Sequence, residues 1–171
     1  MRGWFLFFSA LLLCAPAEAQ DKGEAKSVTV GAWKIEAAYT KGQIFDHCTM
    51  SRTLESGLEA RFARDKGGTS LIMTSPRWKL ENGKSYAVEI VAGKAVWKTD
   101  VAATPDTVRL ALTDARFNKT LRRINRLEIR GAGATLTVPL DKSADALARL
   151  DRCYETNRNA SETNPFVAPQ P

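Results

Sequence analysis

The stretch WKLENGKSYAVEIVAGKAVWKT, residues 78–99, decides the fold class. Tyr86, Val88 and Ile90 recur with period two, and Ala95 and Trp97 do so again after a gap. That period puts alternate side chains on one face of an extended strand. Asn82-Gly83 and Ala92-Gly93 supply the dipeptides that tight turns favour, because glycine adopts the positive φ such turns require. Strand, tight turn and strand predict an antiparallel sheet.

The same rhythm extends in both directions. TVRLALT (107–113) turns Val108, Leu110 and Leu112 inward, TSLIMTS (69–75) is a strand ended by Pro76, and GLEARFAR (57–64) aligns Leu58, Ala60 and Phe62. IFDHCTMSR (44–52) reads as a further strand. VTVGAWKIEAAYT (28–40) reads as one strand bent where its phase slips at Gly31-Ala32. RLEIRGAGATLTVPL (126–140) reads as a hairpin turning through Gly131-Ala132-Gly133. Two segments change period. DARFNKTLRRIN (114–125) sets Phe117, Leu121 and Ile124 at helical spacing, and Ser143 to Glu155 carries Ala146, Leu147, Leu150, Cys153 and Tyr154 along one stripe. About eight short strands with regular turn signals predict a mainly β fold, an antiparallel β-sandwich or partly closed barrel with one or two short helices packed on it.

The N-terminus fixes the compartment. In MRGWFLFFSALLLCAPAEAQ, Arg2 precedes an apolar run from Trp4 to Ala15, and Ala17-Glu18-Ala19 fits a small-x-small cleavage site. Residues 1–19 therefore read as a secretory signal peptide, too short and wrongly flanked to span a bilayer. The rival reading, acylation of Cys14, wants a small residue where Leu13 stands. Cleavage leaves 171 − 19 = 152 residues and removes one base (Arg2) and one acid (Glu18), so 24 bases face 18 acids at +6. The expected layout is a flexible segment 20–27, a β-rich domain 28–155 and a disordered tail 156–171. No second apolar run in the mature chain is long enough to cross a membrane.

A positive excess favours anionic partners. In an exported protein these are envelope or membrane surfaces rather than nucleic acid. Arg116, Lys119, Arg122, Arg123, Arg126 and Arg130 form the densest cluster and are the candidate contacts for an anionic surface. The bland alternative is a solvated helix face.

Asp46-His47-Cys48 invites a catalytic or metal reading, since His47 is the only histidine. On a strand, however, His47 and Cys48 point to opposite faces, and a Cys–His nucleophile pair needs contact. After processing only Cys48 and Cys153 remain, and two cysteines in an oxidising compartment predict one disulfide. No catalytic, cofactor or metal residue is assigned. Trp33, Trp78 and Trp97 occupy strand-like positions, where core packing competes with a ligand platform. Asn118-Lys119-Thr120 and Asn159-Ala160-Ser161 fit the glycosylation pattern, and Asn164-Pro165-Phe166 resembles the ligand of endocytic EH domains.

Set in order, GAWKIEA (31–37), HCTMSR (47–52), SPRWKLENGKSYAVEI (75–90) with its P-x-x-x-L-x-x-G turn, VRLALTDARFNKTLRR (108–123) and VPLDKSADALARL (138–150) resemble the invasion-associated locus B family of Gram-negative periplasmic proteins. The resemblance covers residues 31–152. The family's cysteine soon after the first tryptophan and its mid-domain pair have no counterpart here. The resemblance implies a periplasmic or secreted β-rich protein linked to host-cell interaction and implies no enzyme activity. The expected function is accordingly exported, non-enzymatic binding, with an envelope surface or a host protein as partner. A protease-inhibitor-like module and a hydrolase with dispersed acids are the alternatives.

Overall fold

The computed structural model describes residues 27–41 and 44–163, with side chains through residue 160. The expected signal peptide, residues 20–26 and the Asn164-Pro165-Phe166 motif lie outside the described residues. Ten strands form one antiparallel sheet: β1 (Val28–Val30), β2 (Trp33–Tyr39), β3 (Phe45–Thr53), β4 (Glu59–Asp65), β5 (Gly68–Thr74), β6 (Ser85–Ala92), β7 (Ala95–Ala103), β8 (Thr107–Ala111), β9 (Arg126–Arg130) and β10 (Thr135–Pro139). Helix α1 (Ala115–Leu121) connects β8 to β9, and α2 (Ser143–Thr163) follows β10. The spatial order is β1-β2-β3-β4-β5-β8-β7-β6-β9-β10, so the sheet is not closed into a barrel.

The sheet nevertheless folds over on itself, sandwich-like, and its two ends approach. Arg52 of β3 donates from Nη1 to the carbonyl of Pro139 at the end of β10, 3.0 Å away. Its guanidinium also lies 5.3 Å from the Trp33 ring centroid and 3.6 Å from the Asp141 carboxylate. One continuous core results. Trp33, Met50, Phe62, Leu71, Leu127 and Val138 are fully buried in it, although they come from strands at opposite ends of the order. Each contributes its inward alternate positions, the pattern the period-two runs predict.

Several expectations are corrected. Residues 28–40 are not one bent strand: Gly31, at φ +59°, turns the chain into a hairpin in which Val30 pairs with Trp33. A phase slip of one residue looks alike in sequence whether the chain bends or reverses. Residues 78–80, before Asn82-Gly83, join no strand, and Leu80 makes a single backbone bond to Pro105. On β3 the register shifts so that Ala38 pairs with His47 but Tyr39 pairs with Phe45. The skipped Asp46 is exposed and Phe45 swings onto the core face beside Tyr154, ring centroids 5.8 Å apart. Alternation alone places Phe45 opposite Cys48, because it has no means of seeing a bulge. Finally, α2 continues past Glu155 to Thr163, through part of the segment read as unstructured. Tyr39 explains one turn of that extension: its hydroxyl donates to Asn157 Oδ1 at 2.9 Å.

Cys48 and Cys153 are joined in a disulfide, with Cα atoms 6.2 Å apart and a sequence separation of 105. It pins α2 across β3. Closing a loop of that length contributes on the order of 4–5 kcal/mol in the chain-entropy account.

Candidate functional site

The Asp46-His47-Cys48 triplet carries no reactive thiol, because Cys48 is spent in the disulfide. His47 Nδ1 lies 2.8 Å from Asp46 Oδ2, on a pair of partly exposed side chains. Among the described residues no group of three His, Cys, Asp or Glu side chains could hold a metal ion.

The six candidate bases do not share a helix face. Only Arg116 and Lys119 stand on α1, whose N-cap is Asp114 and whose C-cap is Arg122. Arg123 lies in the following turn, and Arg126 and Arg130 begin and end β9. The helix ends at Leu121, and its buried members are Phe117 and Leu121. Ile124, expected as a third, lies beyond the helix and half-buried.

Four of the bases have acid partners. Arg116 is 3.6 Å from Asp114, and Arg122 is 2.6 Å from Asp151, which ties α1 to α2. Arg126 and Arg130 flank Glu128 on one side of β9, at 3.4 and 2.8 Å. Among the described residues Lys119 and Arg123 have no ion-pair partner. Between them the six bases have three acids as ion-pair partners, an excess of 6 − 3 = 3 bases within the set. The Asp114 carboxyl is held below the usual aspartate range, chiefly by the Phe117 N–H bonded to it and also by Arg116.

Between the helices and β4 lies a cleft of about 350 Å³, where Arg64, Asn118 and Arg122 meet Asp151 and Glu155. Arg122 pairs with Asp151 there, whereas Glu155 pairs with Arg158 outside the cleft and Arg64 bonds Thr69 Oγ1. A shallow depression of about 530 Å³ on the outer sheet face brings Glu89 near Asp100, the arrangement of acids on neighbouring strands that a hydrolase would need. Glu89, however, is engaged by Lys98 at 3.3 Å, and both side chains are well exposed.

The third concavity is of a different kind. At the end of the folded sheet where residues 78–86 face the 131–134 turn, a cavity of about 520 Å³ opens. Its floor is core: Met73, Val88, Val101, Val108 and Ile129, all at most 9% exposed. Trp78, Leu80, Tyr86 and Leu136 make half-buried walls, and no charged side chain lines it. Trp33 and Trp97 play other parts. Trp33 is core, with Nε1 donating to the carbonyl of Asp141, and Trp97 packs edge-on against Phe117, 4.7 Å between centroids. Of the three tryptophans singled out in sequence, Trp78 is the one that lines this cavity. The remaining wall residues look like ordinary strand positions in sequence.

No protein-family model matches the chain, and no curated protein does. Among solved structures, the fold is similar to that of invasion associated protein B from Bartonella henselae, with a TM-score of 0.55 and 19% sequence identity over 75% of this chain and 96% of that one. At that identity the likeness is one of fold, and at that level it agrees with the family resemblance carried by the sequence motifs.

Proposed function

We propose that the chain is an exported, non-catalytic binding domain of a bacterial envelope that associates with anionic surfaces through the bases around α1 and β9. The observation that carries this reading is that the six bases share only three acid partners, with Lys119 and Arg123 in no ion pair among the described residues. The Cys48–Cys153 disulfide supports export, since such bonds persist in oxidising compartments. Among the described residues no helix is long and apolar enough to cross a membrane. The neighbour's name ties that protein to invasion, which supports a host-contacting role here as well.

The partial pairing sets the strength. At about 1 kcal/mol for each uncompensated base near an anionic lipid surface, three contribute roughly 3 kcal/mol, a hundredfold enrichment rather than tight anchorage. Binding to vesicles of mixed phosphatidylcholine and phosphatidylglycerol should be measurable at 50 mM salt and lost near 300 mM, as the screening length shortens. Replacing Arg116, Lys119 and Arg123 together by Gln should abolish it with Tm almost unchanged. Equal binding by the triple variant, or salt-insensitive binding, would refute the reading.

A further inference from the structure

The cavity at the end of the folded sheet is independent of the basic cluster, and its chemistry is specific. Its floor is the inner face of five strands, so it penetrates the core rather than lying on the surface. Water has little to bond to there, because the lining side chains are apolar apart from Tyr86 and Ser85 at the edge. A largely apolar pocket of this volume, with a few polar groups confined to its rim, is the usual form of a small-molecule site.

One such group, the Tyr86 hydroxyl, belongs to the lining, and a cation stands beside the Tyr86 ring just outside it. Tyr86 Oη accepts the Glu81 N–H at 3.3 Å, which leaves its own proton free to donate. The Lys84 ammonium lies 5.6 Å from the Tyr86 ring centroid. It is anchored there by Glu81 Oε1 at 2.6 Å and retains further N–H donors. The mouth therefore offers a hydroxyl donor and a cation next to an uncharged, water-poor interior.

We propose that this cavity binds the hydrocarbon chain of a long-chain carboxylate, with the carboxylate held at the mouth by Lys84 and the Tyr86 hydroxyl. A methylene takes up roughly the 30 Å³ share of a water, so the cavity admits about seventeen such groups. One acyl chain fits and the paired chains of a diacyl phospholipid do not. The ligand is a free single-chain acid rather than a lipid in a bilayer. An uncharged chain of equal length would gain the interior but not the mouth.

The test uses the full mature protein and cis-parinarate, a fluorescent polyene carboxylate. Parinarate should bind saturably and be displaced by palmitate, with hexadecanol at least tenfold weaker and phosphatidylglycerol vesicles ineffective. Leu136→Asp places a charge on a cavity wall and should weaken parinarate at least tenfold. Because that change could also harm folding, Ala132→Trp provides a second block at the exposed mouth. Lys84→Gln should weaken palmitate several-fold and leave hexadecanol unchanged. Arg123→Gln, on the basic cluster, should alter none of these values. No saturable binding by folded wild-type protein would overturn the proposal. So would undiminished binding by folded Leu136→Asp or Ala132→Trp, or hexadecanol matching palmitate with Lys84→Gln indifferent.

Discussion

The indole Nε1 of Trp33 donates to the carbonyl of Asp141 at 3.0 Å, across 108 residues of sequence. It joins the second strand of the sheet to the turn that leads from β10 into α2. With Arg52 bonded to Pro139, it holds together the two ends of an open sheet that no strand ladder connects.

Truncating that indole should therefore cost more than lost packing. Trp33→Ala removes a fully buried ring that also meets Phe62 edge-on at 5.8 Å. A loss of about 3–5 kcal/mol in urea unfolding is expected. Trp33→Phe keeps most of the apolar volume and gives up the hydrogen bond, so it should lose distinctly less. A Trp33→Phe variant as stable as wild type would mean that the Asp141 contact contributes nothing.

The disulfide should govern stability and leave the fold intact. Mature protein isolated from an oxidising compartment should expose no thiol to alkylation until it is reduced. Serine at both Cys48 and Cys153 should lower unfolding free energy by about 2–5 kcal/mol, since the unfolded chain regains the freedom the bond removes. The far-ultraviolet circular dichroism of that variant should remain β-rich. Two alkylatable thiols in the native protein would contradict the structure.

One sheet edge gives an unusual proline test. Thr104 and Thr107 exchange both backbone hydrogen bonds, so by antiparallel alternation Ala102 and Arg109 form the next bonded pair. Ala103 donates instead to Lys84 on the β6 side. Even-numbered β7 residues thus aim their N–H groups toward β8, but β8 stays alongside only to Ala102. The N–H of Lys98 has no strand opposite it, whereas that of Thr99 faces β6. Lys98→Pro should be nearly neutral, as proline is on an open edge. Thr99→Pro should lose about 1–3 kcal/mol more through the missing ladder bond. Melting curves of the two variants compare them directly.

Asp114 predicts a pH dependence of known sign. Its carboxylate accepts the N–H groups of Arg116 and Phe117 at 2.7 and 3.0 Å, and those bonds lower its pKa, the Phe117 bond most. A depressed folded-state pKa adds stability above the ordinary aspartate value near 3.9, and that stability is lost as pH falls through the lower folded value. Asp114→Asn keeps an acceptor but not the charge. Its Tm should lie slightly below wild type at pH 7, and the difference should vanish in acid. A gap that persists at low pH would assign the effect to something other than this carboxylate.

The strand-forming segments, the inward residues of most strands, both helices and the Cys48–Cys153 pairing were legible in the sequence alone. All of these follow from local period, turn chemistry or simple counting. Val108, Leu110 and Leu112 are buried as alternation requires, and Cys48 is bonded to Cys153 as the count of cysteines beyond the expected signal peptide predicts. Tertiary structure alone decided the rest. Whether Gly31 bends or reverses the chain depends on what its flanking strands find to pair with, and the Asp46 bulge depends on Phe45 reaching Tyr154. The basic cluster looked denser in sequence than it is in space, because Asp151 reaches Arg122 from another helix and Glu128 divides Arg126 from Arg130. The apolar cavity has no sequence signature at all. Its walls are single residues from many strands, brought together only when the sheet folds over on itself, and nothing in one strand's period records which strand it will face.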